Sequence, residues 1–120
     1  MDEDAVRARA QAVCDALAAG DIERASGDFS VELRRNLGEV LALMPLPANE
    51  VEIDSVERGG PGFNVVIRIA GEVAEVLVQT RWKERDGEPR MVEASHLAST
   101  ALTPAEGGTD EPVDDTGVDG

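Results

Sequence analysis

The chain has 120 residues, a formal net charge of −14 and a single cysteine, Cys14. This length provides one domain with one hydrophobic core, and one cysteine cannot close an internal disulfide. The negative charge disfavours phosphate backbones and anionic lipid surfaces, and no apolar run approaches the roughly 18 residues of a membrane-spanning helix. We therefore expect a soluble, cytoplasmic protein that binds neither nucleic acid nor membrane. The strong preference for arginine over lysine is typical of a GC-rich bacterial coding bias.

The apolar residues of the first half recur at helical spacing. The first predicted helix spans residues 4–19, has acidic residues at its start and ends at Gly20. Asp21 is the expected cap of a short second helix. A third helix is predicted from about Val31 to Pro45, because proline cannot continue a helix. The predicted buried residues are Val6, Ala10, Val13 and Leu17, then Ile22, Ala25 and Phe29, then Leu33, Leu37, Val40, Leu41 and Met44.

After residues 44–47 the apolar residues alternate, which predicts strands with one buried face. Four strands are expected, with turns at residues 59–62, at Gly71 and at Asp86-Gly87. In the first strand, Val51, Ile53 and Ser55 alternate against Glu52, Asp54 and Val56. Asp-Gly between two alternating segments favours a two-residue hairpin loop.

The last hairpin allows more than one register. A two-residue loop predicts the pairs Arg85 with Glu88, Trp82 with Met91, Arg81 with Val92, and Leu77 with His96. A bulge or a longer loop would move His96 to the opposite face, because a slip of one residue reverses every side chain. From Thr103 onward apolar residues give way to Pro, Gly, Thr and acids. We expect a single domain at residues 1–102 and a disordered acidic tail at residues 103–120.

Two sequence segments carry a resemblance to a known family. They are Ala-Leu-Ala-Ala-Gly-Asp at residues 16–21, and the segment at residues 81–87 with its continuation at residues 90–97. Together with the order of elements over about residues 4–100, they resemble the NTF2-like superfamily of SnoaL-like type, also called cystatin-like. This resemblance implies an α+β fold with three N-terminal helices packed on a curved four-stranded antiparallel sheet. It also implies an apolar pocket at the wide end of the cone and a homodimer formed through the outer face of the sheet.

The two predicted sheet faces differ in composition. The outer-face set mixes apolar and polar groups, as a modest dimer interface does; it consists of Asn64, Val66, Arg68, Leu77, Gln79, Arg81, Val92 and Ala94. The opposite face is almost wholly apolar, so most of it is interpreted as core. The candidate ligand-binding residues on that face are Phe63, Val78, Thr80, Trp82 and Met91.

Few residues could perform chemistry. His96 is the only histidine, and the candidates for catalysis are Asp15, Asp28, Glu93 and His96. Ketosteroid isomerases of the superfamily use a tyrosine as the donor that stabilises an enolate, whereas this chain contains no tyrosine. The histidine, the cysteine and the acids show no metal-ligand spacing, so we expect neither a metal nor a cofactor.

Three hypotheses about function follow. The leading one is a small non-catalytic homodimeric module for ligand binding or assembly. The second is an enzyme, such as an isomerase, cyclase or hydrolase, that uses an acidic residue as base in an apolar pocket. The third is an interaction adaptor that uses the acidic tail.

Overall fold

The protein, described by a computed structural model over residues 1–102, places its helices before its strands, as the change of hydrophobic period predicts. The predicted disordered tail at residues 103–120 lies outside the described residues. The helical elements are α1 (Glu3–Ala18), α2 (Ile22–Ala25), a 3-10 turn (Ser26–Asp28), α3 (Val31–Arg35) and α4 (Leu37–Leu41). The strands are β1 (Glu50–Gly59), β2 (Gly62–Ala70), β3 (Ala74–Arg85) and β4 (Glu88–Ala101). They form an antiparallel sheet in the order β1-β2-β3-β4, which confirms the α+β class.

Short polar side chains begin the first three helices. The carboxylates of Asp2 and Asp21 accept hydrogen bonds from backbone amides of α1 and α2, and the Ser30 hydroxyl accepts one from the Leu33 amide at 3.1 Å. Each cap satisfies an amide that has no partner within its helix. The predicted cap at Asp21 is therefore confirmed.

The third predicted helix is not continuous. The chain leaves helical geometry at Asn36, where φ is −107° and ψ is 28°, and it resumes as α4. Asparagine is a poor helix former because its amide competes for nearby backbone groups, and here it donates to the Glu32 carbonyl. Gly38 weakens the following turn further. The prediction of one helix from Val31 to Pro45 was wrong, and α3 and α4 are separate short helices.

The central strands have the predicted faces. Ile67 pairs with Val78, and both side chains are buried against the helices. The hairpin after β3 has a two-residue loop in which Asp86 and Gly87 both have positive φ, at 54° and 81°. This turn matches the right-handed twist of paired strands, as the Asp-Gly signal predicts.

A bulge follows the start of β4. The pairs Arg85 with Glu88 and Trp82 with Met91 are confirmed, but Arg81 pairs with Glu93 instead of Val92. Ala94 then pairs with Thr80 on the helix side of the sheet. The assignment of Ala94 to the outer face was therefore wrong.

A second bulge lies farther along the same strand. It inserts Leu97, so that Leu77 pairs with Ala98 and His96 pairs with Val78. The register that paired Leu77 with His96 was wrong, and the alternative with a bulge is the one observed. Paired residues of antiparallel strands share a face, so His96 lies on the helix side of the sheet.

A third bulge falls in β1 at Asp54. Ile53 pairs with Ile67, but Ser55 pairs with Val66 and Val56 with Val65. Ser55 therefore moves to the outer face and Val56 to the helix side, opposite to the alternation expected from the sequence.

The core lies between α1 and the inner face of the sheet. The predicted stripe of α1, which is Val6, Ala10, Val13 and Leu17, is no more than 2% exposed. It packs with Val65, Ile67, Ile69, Val78 and Trp82 of β2 and β3 in one hydrophobic cluster. None of the helices within residues 1–102 is long and apolar enough to cross a membrane.

Candidate functional site

The inner face of the sheet is filled by its own side chains. The five residues predicted as ligand contacts are each no more than 1% exposed; they are Phe63, Val78, Thr80, Trp82 and Met91. They are members of the core or are enclosed by it. At this point of the cone the structure provides close packing instead of a space that a ligand could enter.

Two polar side chains in this face, Thr80 and Trp82, are hydrogen-bonded to each other. The Trp82 indole Nε1 donates a hydrogen bond of 2.9 Å to the Thr80 hydroxyl oxygen. That hydroxyl donates in turn to the Val65 carbonyl oxygen at 2.8 Å. The donors of Thr80 and Trp82 are thus both used inside the protein, which leaves neither free to hold a ligand.

Asp28 is engaged in an ion-pair network. Its carboxylate accepts a hydrogen bond from Arg9 of α1 at 2.9 Å and lies 3.5 Å from Arg90 of β4. Arg90 also contacts Glu88 at 3.2 Å, and Arg9 approaches the same carboxylate at 3.4 Å. Asp28 is half-buried, and its observed role is to connect α1, the 3-10 turn and β4.

The other candidate catalytic residues do not converge. Asp15 is exposed on α1 and accepts a hydrogen bond from Gln11 at 3.0 Å. Glu93 and His96 are both exposed on β4, opposite Arg81 and Val78 respectively. Because Arg81 and Val78 belong to opposite faces of β3, Glu93 and His96 lie on opposite sides of the sheet at these positions. An acid and a histidine so placed cannot act on one substrate atom together.

Cys14 is fully buried in α1. Burial, followed by the nearby charges of Asp15 and Glu52, raises the pKa of its thiol from 9.0 to about 12. A thiol with this pKa is protonated at neutral pH and is therefore a poor nucleophile.

We expect Cys14 to resist alkylation by iodoacetamide in the folded protein and to react at the rate of a free thiol in urea. The raised pKa also predicts a pH effect, because folding stabilises the protonated thiol. That contribution is complete below pH 9 and is lost as pH rises from 9 towards 12. Urea unfolding across this window should show a steeper fall in stability for the wild type than for Cys14→Ala. Equal slopes would contradict the raised pKa.

A groove lies between α3, α4 and the first half of β4, and it is here called the α3–β4 groove. Its volume is about 360 Å³, and its lining residues are Glu32, Leu33, Asn36, Glu39, Val40, Leu43, Val92, Glu93 and Ala94. Of the residues predicted as site candidates, Glu93 belongs to it. Of the apolar lining residues of the helices, Leu33 and Val40 were predicted to be core, and Leu43 was not.

Sequence reasoning missed this groove because it depends on two irregularities. The helix breaks at Asn36, and β4 bulges at Val92. The pair Asn36 and Gly38 within one apolar repeat was the signal that could have indicated the break. No comparable signal in the sequence marks the bulge.

Two further cavities lie on the surface. One, of about 330 Å³, is next to the Asp86-Gly87 hairpin, shares Glu32 with the α3–β4 groove and includes Arg34, Arg85 and Arg90. The other, of about 360 Å³, lies between residues 45–49 and residues 71–73. Within residues 1–102 there is no group of three or more His, Cys, Asp or Glu side chains placed to hold a metal ion.

The architecture is similar to that of solved structures. An NTF2-like protein of unknown function from Burkholderia xenovorans LB400 matches 88% of this chain and 89% of its own, with a TM-score of 0.54 and 16% identity. A proposed ketosteroid isomerase from Kribbella flavida DSM 17836 matches 92% of each chain, with a TM-score of 0.50 and 14% identity. No protein-family model and no curated protein matches the sequence. The helices packed on a four-stranded antiparallel sheet, together with these two structural matches, show that the chain has the NTF2-like fold.

Proposed function

We propose that this protein is a non-catalytic, homodimeric NTF2-like module for binding or assembly. The observation that carries the proposal is the filled inner face, where Trp82 and Thr80 are fully buried, the Trp82 indole donates to the Thr80 hydroxyl, and that hydroxyl donates to the Val65 carbonyl. An enzyme of this fold needs an open pocket with convergent ionisable groups. The buried inner face of this chain, filled by core side chains, supports the non-catalytic role.

The outer face of the sheet supports the dimer. Val66 and Leu77 lie near its centre and are half-buried, and the buried residues of the helices cluster with the opposite face. The polar Gln79, which pairs with Val66, completes this central patch. Partly apolar patches with polar surroundings are typical of interfaces between folded subunits.

Charged groups flank that patch at both ends. At one end Arg68 binds three carboxylates: Glu50 at 2.9 Å, Glu75 at 2.5 Å, and Glu52. These hydrogen bonds, Glu52 first, raise the pKa of Arg68 above its usual range, and the cluster retains a net negative charge. At the other end Arg81 binds the Asn64 amide oxygen at 3.1 Å and the Gly59 carbonyl at 2.7 Å, and the exposed Glu93 is its cross-strand partner on β4.

This distribution suits a twofold axis through the central patch. An axis that lies in the interface and runs perpendicular to the strands keeps the Arg68 cluster of one subunit away from the same cluster of the other. The apolar centre of both subunits is then removed from water. A twofold axis parallel to the strands would instead bring the Arg68 clusters of the two subunits together.

The test is the oligomeric state of the full chain and of Leu77→Arg. We expect light scattering on a size-exclusion column to give twice the chain mass for the wild type at micromolar concentration. Leu77→Arg should give the mass of one chain, because removing an added guanidinium from water at the centre of an interface is costly. The matched control is Val73→Arg, since Val73 is 75% exposed in a turn away from the outer face. A monomeric wild type, or a dimeric Leu77→Arg, would contradict the proposed interface.

Catalysis is the competing hypothesis, and the name of the Kribbella flavida protein suggests the assay. A 3-ketosteroid with an isolated double bond changes its ultraviolet absorbance when that bond moves into conjugation. We expect no change above the buffer rate. Turnover that depended on Asp28 or His96 would overturn the non-catalytic role.

A further inference from the structure

β4 is an edge strand that the protein covers over only part of its length. The extended residue Phe29 bridges to Met91 in parallel, and the Ser30 amide donates a hydrogen bond of 2.8 Å to the Met91 carbonyl. After Ser30 the chain turns away into α3. Within residues 1–102, no other strand pairs with the free edge of β4 beyond Met91.

The uncovered part of the edge runs beside the α3–β4 groove. All three strand residues in the groove lining come from β4; they are Val92, Glu93 and Ala94. The groove therefore opens along the edge of the sheet, where backbone amide and carbonyl groups are available. Between the bulges at Val92 and Leu97, residues 93–96 pair regularly with β3. A regular edge of this kind accepts an added strand, and its side pockets receive every second side chain of that strand.

The chemistry of the lining indicates what kind of strand would bind. Leu33, Val40 and Leu43 provide apolar surface from the helices, whereas Glu32 and Glu39 with Glu93 provide three negative charges. The lining contains no basic residue, and none of the three carboxylates forms an ion pair with a residue in the range 1–102. Apolar and cationic side chains in alternation would complement this surface.

We propose that the α3–β4 groove binds an extended cationic peptide segment of a partner protein, which pairs with the edge of β4 beyond Met91. Apolar side chains of the peptide enter the groove, and its Lys or Arg side chains meet Glu32, Glu39 and Glu93. A second copy paired through its own β4 edge is a poor occupant, because it would bring its Glu32, Glu39 and Glu93 against the same three carboxylates. The groove is separate from the outer face, so this inference gives the proposed binding module a partner class and does not depend on the dimer.

The test uses a fluorescein-labelled synthetic peptide of four Lys-Val repeats and measures its anisotropy with the full chain. We expect saturable binding that is at least about tenfold tighter than that of a matched peptide of Glu-Val repeats. A Lys-Val peptide methylated on alternate backbone nitrogens should bind at least about tenfold more weakly, because it cannot donate to the strand edge. Equal binding of the methylated peptide would overturn strand pairing, and absence of saturable binding would overturn the site.

Matched charge variants locate the peptide. Glu39→Gln with Glu93→Gln should weaken binding of the Lys-Val peptide by about fivefold or more. The control is Glu23→Gln with Glu57→Gln, which makes the same change in net charge at exposed positions outside the groove. Equal weakening by both pairs would show non-specific attraction and would overturn the assignment to the groove. Light scattering on the same samples reports the dimer separately, so failure of one proposal is distinguishable from failure of the other.

Discussion

Trp82→Ala should lower the free energy of unfolding by about 3–5 kcal/mol, the usual cost of truncating a buried large aromatic residue. Trp82 is fully buried, pairs with Phe63 on one side and Met91 on the other, and is the largest side chain in the core. Removing the indole leaves a cavity beside β2, β3 and β4, and the paired strands cannot all shift to fill it. Urea unfolding followed by circular dichroism measures the loss, which is a large fraction of the roughly 5–15 kcal/mol available to a small domain.

Two further variants test whether the stability lost in Trp82→Ala comes from truncation of a packed core side chain. Thr80→Val keeps the volume but leaves the Trp82 indole N–H and the Val65 carbonyl without their partner, which should cost about 1–3 kcal/mol. Leu97→Ala truncates a residue that is 48% exposed on β4, and it should change stability by less than about 0.5 kcal/mol. If Trp82→Ala were as mild as Leu97→Ala, the inner face would not be a packed core.

That result bears directly on function. If the indole carries several kcal/mol of the stability of the domain, it cannot also move aside to admit a ligand without a comparable cost. A rigid Trp82 therefore favours binding surfaces on the outside of the cone. The outer face of the sheet and the α3–β4 groove are the two such surfaces proposed here.

The alternation of β2 and β3 was sufficient to predict their faces. Both strands have a neighbour on each side, and Ile67 and Val78 are buried while Arg68 and Gln79 are not. A one-residue slip in either strand would move a whole apolar set to the outer face, so the hydrophobic pattern fixes their register.

The hydrophobic pattern fixes the register of the edge strands β1 and β4 less firmly. Asp54, Val92 and Leu97 lie at the bulges, and each belongs to a strand with only one strand neighbour. An extra residue at an edge breaks pairing on one side only, and the apolar pattern changes little because Val92 and Leu97 are themselves apolar. The face of His96, and with it the arrangement of the candidate catalytic residues, depended on this unpredictable feature.

The hydrophobic periodicity of the sequence also could not predict the α3–β4 groove. Leu33, Leu37 and Val40 have helical spacing whether or not the helix is interrupted between them. Residue propensities at Asn36 differ from those of good helix formers by less than about 1 kcal/mol, and tertiary packing easily exceeds this amount. The break, and therefore the groove, is decided by how α3 and α4 pack beside β4.

Gly62→Ala should also lower the free energy of unfolding by a large amount. Gly62 begins β2, and a Cβ atom there would overlap the carbonyl oxygen of Trp82 and lie 3.1 Å from the Lys83 Cγ. The side chain of Lys83 can move, but the carbonyl belongs to the backbone of β3 and moves only if the strands separate. We expect a loss of about 1–3 kcal/mol or more in urea unfolding, as for other insertions of a group into a closely packed site.

Gly38→Ala is the matched control for the same chemical change. A Cβ at Gly38 meets no atom within 4 Å, and the residue lies in α4, where alanine is the better helix former. This variant should be neutral or more stable by up to about 1 kcal/mol. Because β3 would shift at Trp82 in Gly62→Ala, that variant should also move the tryptophan emission towards the red, whereas Gly38→Ala should leave it unchanged. A stable Gly62→Ala protein with unchanged emission would mean that β2 and β3 do not approach each other as closely at this end as the structure shows.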